Sequence, residues 1–315
     1  QIGLTTSYGI DQVNKLPEVQ TKYSQGWHYV YNPDDFWPSW GPLVEEAKAL
    51  DPTHPDKLYN HYGQGFQTGN QFRTTLSMSG GTENARLSSS ISYFNQEGMI
   101  PFSDHKSISV RLNGMFKFSE KLNFRPSIYY INSGGRKVNA NRYNESLTYW
   151  TPRHNVMDFI KEDGTMKSYG STNNPVYGTY GAPFSDDVHR LIGDLSFTYS
   201  PFSFLDIDYK FGVDQYNDLR RHAAAGALGL VGEMRHGDMG QGFVREYRLF
   251  NRMINSNLMA TFNKDWLDNK LTTTLRVGNE VRESKYDRVN SEGSELDIPT
   301  LLTINNSNVR LTSQS

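Results

Sequence analysis

Apolar residues recur at every second position through 72–78. Phe72, Thr74, Leu76 and Met78 share one face of an extended strand, and Arg73, Thr75 and Ser77 share the other. A Gly80-Gly81-Thr82-Glu83-Asn84 turn follows, and the chain returns with Ala85, Leu87, Ile91 and Tyr93 opposite Arg86, Ser88, Ser90 and Ser92. The same alternation carries Ile108, Val110, Leu112, Phe116 and Phe118 through Ser119-Glu120-Lys121 into Leu122, Phe124, Ile128 and Tyr130. It carries Leu191, Leu195, Phe197 and Tyr199 past Pro201 into Leu205, Ile207, Tyr209, Phe211 and Val213. Phe250, Ile254, Leu258, Ala260 and Phe262 then turn into Leu271, Thr273, Leu275, Val277 and Val281. With residues 2–10 as a weaker first member, the pattern predicts about nine strands of roughly ten residues, the length that a tilted strand needs to cross a bilayer.

The connections between these strands are alternately tight and long, the long ones being 11–71, 98–106, 132–190, 214–247 and 282–315. Loops sorted by side in this way mark an outer-membrane β-barrel, with short turns in the periplasm and long loops outside the cell. The expectation is an all-β chain: one partial transmembrane antiparallel barrel over 1–315, with 11–71, 132–190, 214–247 and 282–315 as extracellular loops.

Composition narrows the class. No run of about 18 apolar residues is present, so no membrane helix is predicted, and a barrel hides from such a scan because only alternate residues meet lipid. Cysteine is absent, which suits passage through an oxidising periplasm. A net charge of −2 and the lack of a Lys/Arg run interleaved with aromatics argue against a nucleic-acid partner. The chain carries 19 Tyr, 17 Phe and 5 Trp, and many cluster beside the tight turns: Phe116, Phe118 and Phe124; Tyr199, Phe202 and Phe204; Phe262 and Trp266. An aromatic girdle at the periplasmic headgroups would look like this.

Catalytic and metal motifs are missing. No HExxH, GxSxG or P-loop spacing occurs, and the eight histidines fall in predicted loops or at their edges, away from any partner serine. Asp34, Asp35, Asp158, Glu162 and Asp163 are hard oxygen donors that lack the spacing of a calcium loop. No catalytic residue, metal ligand or cofactor is therefore assigned.

Residues 70–101, NQFRTTLSMSGGTENARLSSSISYFNQEGMIP, resemble the barrel segment of the SusC/RagA family of TonB-dependent outer-membrane importers: a strand, an SGG-T/N-E turn, a serine-rich return strand and an N-Q-x-G-x-I-P close. The stretch from Leu16-Pro17-Glu18-Val19-Gln20 through Tyr23-Ser24-Gln25-Gly26 is similar to the family's LPxLQxxYGQG, with Ser24 where Gly is usual. Ser39-Trp40-Gly41-Pro42 is similar to its WGP element. These matches cover roughly the first third of the chain. The resemblance implies a barrel of about 22 strands enclosing a plug. It also implies import of oligosaccharides or peptides in Bacteroidetes, a SusD-like surface lipoprotein as lid, and energy from TonB. Neither the plug nor the TonB-binding segment is found in this sequence, and Gln1 opens in strand-like sequence without a signal peptide. The expectation is a mid-barrel piece of such an importer, embedded in outer-membrane lipid and lipopolysaccharide.

Within the long loops, Trp27, Tyr29, Tyr31, Phe36, Trp37 and Trp40 crowd together, stiffened by Pro33, Pro38 and Pro42. Self-packing, contact with the lid and stacking on a ligand are all open to this cluster. A second long loop holds a predicted hairpin, 156–160 against 166–169 around Glu162-Asp163-Gly164. Two other classes predict different things. A phospholipase-like barrel enzyme needs a serine and a histidine within reach of each other, and a secreted β-repeat adhesin needs a fixed internal period that is not found.

Overall fold

The computed structural model describes residues 1–34, 39–162, 166–167, 173–225, 242–268 and 270–315. The alternating segment at the start of the chain forms β1 (Ile2–Asp11). Two short strands, β2 (Gly26–Trp27) and β3 (Val30–Tyr31), and two helices, α1 (Val44–Leu50) and α2 (His61–Gly65), then precede β4 (Gly69–Gly81). Next come β5 (Ala85–Glu97), β6 (Asp104–Ser119) and β7 (Leu122–Lys137), followed by helices α3 (Ala140–Thr148) and α4 (Pro175–Gly181). The remaining strands are β8 (Phe184–Phe202), β9 (Leu205–Ala224), β10 (Phe243–Trp266), β11 (Leu271–Leu296) and β12 (Ser307–Gln314). β2 and β3 pair only with each other, whereas β1 and β4 to β12 form one antiparallel sheet in which each strand lies beside its neighbour in sequence. None of the described helices is long and apolar enough to cross a membrane.

Register turns the sequence alternation into two faces. Leu4, Leu76, Ile91, Val110, Tyr130 and Leu191 lie opposite one another across six strands. All of these but Val110 are exposed, so the row is an apolar band open to the surroundings. One residue along, Gly3, Ser77, Ser90, Arg111 and Tyr129 make a polar row on the other face. Thr75 and Ser92 hydrogen-bond across that face at 2.8 Å, and the Arg111 guanidinium sits over the Tyr129 ring at 4.2 Å.

Tight turns close β4–β5, β6–β7, β8–β9 and β10–β11 at one end of the sheet. In the first, Gly81 has φ 151°, and a Cβ there would lie 2.1 Å from the Ala85 carbonyl oxygen, so only glycine fits. The aromatics beside these turns stack: Phe124 lies 6.2 Å from Phe116 and 4.5 Å from Phe197, and Phe202 is 5.3 Å from Phe204. The described parts of connections 12–68, 98–103, 138–183 and 297–306 gather at the opposite end.

Three sequence expectations are corrected. The sheet has ten strands rather than about nine, because β12 lies within the span 282–315 that was assigned to a loop. The strands also run far past the apolar band: β10 has 24 residues and β11 has 26, so much of 214–247 and 282–315 is strand. At about 3.3 Å per residue β11 extends well beyond a hydrocarbon core of about 30 Å. Beyond lipid both faces can be polar, so the alternation fades while the backbone ladder continues. Charge pairs across the ladder take over there: Arg190 grips Asp214 through two hydrogen bonds of 2.9 and 2.5 Å, and Arg245 meets Glu292 at 2.8 Å. For the same reason His105, His189 and His222 lie in strands β6, β8 and β9, not in loops.

The outward direction of the apolar face can be tested at Leu112, which is exposed and lies opposite Ser89 and Ile128. In the complete protein in lipid vesicles, Leu112→Arg is expected to lower unfolding stability by about 2–4 kcal/mol if the site is near the midplane. Ser109→Arg on the polar face is expected to cost about 0.5 kcal/mol or less. Equal urea midpoint shifts for the two variants would mean that the faces are assigned the wrong way round.

Candidate functional site

The loops at the far end of the sheet fold against each other. α3 places Tyr143 and Leu147 four residues apart on one face, and they pack with Trp150, Val156 and Val176 into a buried core joined by Tyr62, Phe66, Phe102 and Phe159. Both helices begin with asparagine caps. The Asn139 side chain accepts from the Arg142 N–H at 3.1 Å, and Asn174 accepts from Val176 at 2.8 Å while donating to the Val156 carbonyl at 2.8 Å. The Tyr143 hydroxyl donates to the Gly65 carbonyl, and the Trp150 indole donates to that of His154 at 2.9 Å. The described parts of 12–68 and 138–183 thus form one cap with its own core.

A polar latch joins the two loops. Asp51 pairs with Arg153 and accepts hydrogen bonds from the Tyr31 hydroxyl at 2.7 Å and the Thr53 hydroxyl at 2.6 Å. Beside it, Thr151 donates to Gln25 at 2.8 Å and the Tyr59 N–H donates to the Pro152 carbonyl at 2.7 Å. Burial and the Asp51 hydrogen bond push the Tyr31 hydroxyl up to about 12. No sequence signal marks Arg153, whose partner lies about a hundred positions away.

Ser24 and His54 stand 2.6 Å apart, the pairing that a hydrolytic reading requires. Ser24 is fully buried, and the other ring nitrogen of His54 faces the Pro55 carbonyl at 2.8 Å rather than a carboxylate. The pair is a buried hydrogen bond without substrate access. Among the described residues no group of His, Cys, Asp and Glu converges as a metal site.

The aromatic cluster divides in two. β2 and β3 form a hairpin whose turn residues, His28 and Tyr29, have φ of 50° and 64°, and Gly26 before them has no room for a side chain. Left-handed backbone at two bulky residues is strained and turns Tyr29 outward. The Tyr29 N–H donates to the Trp40 carbonyl at 3.0 Å, and Trp27 meets Trp40 edge to face at 5.7 Å. Trp27, Tyr29 and Trp40 are exposed by 41%, 76% and 61%, an apolar surface at the tip of the cap. Tyr31 instead turns into the latch, and Phe36 and Trp37 lie outside the described residues. The hairpin expected at 156–169 shows its pairing as a bridge between Ile160 and Met166, whereas Asp163, Gly164, Ser168 and Tyr169 also lie outside them.

Under the cap, between α3, α4 and the polar face of the sheet, is a cavity of about 670 Å³. Lys137, Phe184, His222 and Arg245 lie in register there across β7, β8, β9 and β10. The sequence reading missed this row because its members come from segments where the apolar alternation has ended.

Acid should open the cap. Burial disfavours the charged forms of His54, His61 and His154, and brings the last two down to about 4. A histidine held below its ordinary 6.5 binds fewer protons folded than unfolded, so its contribution is complete above 6.5 and is lost as the pH falls towards 4. The Asp51 carboxylate is held well below its ordinary 3.8 by hydrogen bonds from Thr53 and Tyr31, so its contribution fades only below that value. Limited proteolysis of the membrane-embedded protein at about pH 7 and about pH 4.5 should show new cleavage within 12–68 and 138–183 at the lower pH, with β4 to β11 protected. An unchanged cap at the lower pH would refute this.

No protein-family model matches the chain, and no curated protein sequence does either. Solved structures do. Chains of the RagAB peptide transporter align at TM-score 0.69, and those of the RagAB peptide importer in the closed-closed and open-open states at 0.71 and 0.69. Each alignment covers all of this chain at 17% identity and 38% of the neighbour, so the chain spans well under half the length of the solved chains. In fold, the chain is therefore similar to part of a transporter barrel of the SusC/RagA kind that its 70–101 motif resembles.

Proposed function

We propose that this chain is barrel wall and outer loops of a TonB-dependent importer of the outer membrane, which takes up peptides beneath a SusD-like surface lipoprotein. The observation that carries this reading is the ten-strand meander, apolar on one face and polar on the other, with the described long connections at one end. The exposed apolar face meets outer-membrane lipid and lipopolysaccharide, and the polar face lines the route of the cargo. The remaining wall would pair with the free edges of β1 and β12. The plug and the segment that TonB engages would belong to parts of the protein beyond this sequence. Peptide is favoured over oligosaccharide as cargo because the solved neighbours are peptide transporters.

The lid would seat on the tip of the cap. Trp27 and Tyr29 of the hairpin, with Trp40 packed against it, present flat, exposed rings on a mount fixed to the latch through Tyr31, and such aromatics on a rigid mount are typical binding anchors. Trp27→Ala combined with Trp40→Ala in the complete protein is expected to weaken lipoprotein binding by about 2 kcal/mol or more, roughly thirtyfold in Kd. The check is co-purification from the native outer membrane, followed by titration in detergent. Retention of the lipoprotein at unchanged affinity would exclude the tip as its seat. Failure of any lipoprotein to co-purify with the unmodified protein would remove the lid from the reading.

A further inference from the structure

The cavity under the cap has a chemistry of its own. Lys137 and Arg245 reach it from one row of the polar face, with His222 between them, and Arg142 reaches it from α3. Among the described residues no Asp or Glu lines it. Carboxylates do stand nearby. Asp186 lies 3.5 Å from Lys137, Glu292 lies 2.8 Å from Arg245, and Glu145 acts on Arg142, yet none of them lines the cavity. The cations are thus held in place from outside the cavity by their own partners.

A second feature points to what else the ligand carries. Asn173 lines the cavity, and its buried side-chain oxygen has no hydrogen-bond partner among the described residues. An acceptor left in that state costs stability until a donor reaches it. A fully ionised anion such as sulfate has no donor to offer, whereas a peptide has a backbone N–H within a few ångströms of any side-chain carboxylate.

We propose that this cavity is a cargo subsite for acidic peptides, in which Lys137, Arg142 and Arg245 receive a carboxylate and Asn173 accepts a hydrogen bond from a peptide N–H. The proposal rests on the peptide-import reading and adds the class of peptide. Two or three charge-assisted contacts would distinguish an aspartate side chain from its uncharged amide.

The test uses the complete importer with its lid, in detergent, and three probes: Ala-Asp-Ala-Asp-Ala, its isostere Ala-Asn-Ala-Asn-Ala, and oligogalacturonate as a carboxylate source of another class. The aspartyl peptide is expected to bind about tenfold or more tightly than the asparaginyl one. Lys137→Gln with Arg142→Gln should abolish that difference while leaving the affinity for the asparaginyl peptide unchanged, which also shows that the cap remains folded. If the double variant loses both peptides, the single Arg142→Gln decides, since Arg142 is an exposed position of α3. A smaller preference for the aspartyl peptide in that variant supports the subsite, and an unchanged preference overturns it. Equal binding of the two peptides by the unmodified protein would overturn the acidic subsite and leave peptide import standing. Binding of oligogalacturonate alone would overturn both.

Discussion

Everything in this molecule hangs on the continuous ladder of backbone hydrogen bonds that runs from β1 to β12. In lipid a strand has no water to satisfy its N–H and C=O groups, so each must be satisfied by its neighbours, and a meander does this with the least loop. Once the ladder is fixed, the register follows, and with it the division into an apolar outer face and a polar inner one. A slip of one residue between β5, β6 and β7 would carry Arg111 onto the apolar face and Leu112 onto the polar one.

The ladder does not stop where the apolar band does. β8 to β11 continue as a wall whose rows are held by Arg190 with Asp214 and Arg245 with Glu292. Exposed ion pairs of this kind contribute little individually. The backbone pairing carries the wall, and the charges keep it soluble while specifying which residues face one another. The wall gives the cap a rim to sit on, so that α3 and α4 meet the polar face at the level of Lys137, His222 and Arg245.

The cap combines two loops that are distant in sequence into one body, through an apolar core around Trp150 and a latch around Asp51. Its outer tip bears aromatic rings and its underside bears cations. An aromatic surface suits a protein partner and a cationic cavity suits an acidic cargo, and both are built on the cap. A lid seated on the tip would act on the same rigid body that helps to enclose the cavity.

The alternation of apolar and polar residues, with tight turns such as Gly80-Gly81, determined the strand type, the two faces and the side on which the loops gather. These are local properties, set by the two-residue period of the strand and by glycine's access to backbone that other residues avoid. The motif at 70–101 pointed to the kind of barrel, and the fold agrees. The extra length of β8 to β11 and the existence of β12 were decided by the tertiary structure, because outside lipid nothing forces the residues of a paired strand to alternate. The same holds for the cap. That Tyr31 leaves its aromatic neighbours for Asp51, that Arg153 closes the latch, and that Lys137, Arg142 and Arg245 converge on one cavity depend on contacts between segments tens to hundreds of residues apart. Such contacts leave no periodic trace in the sequence, since each relies on a single side chain brought into place by the pairing of other strands.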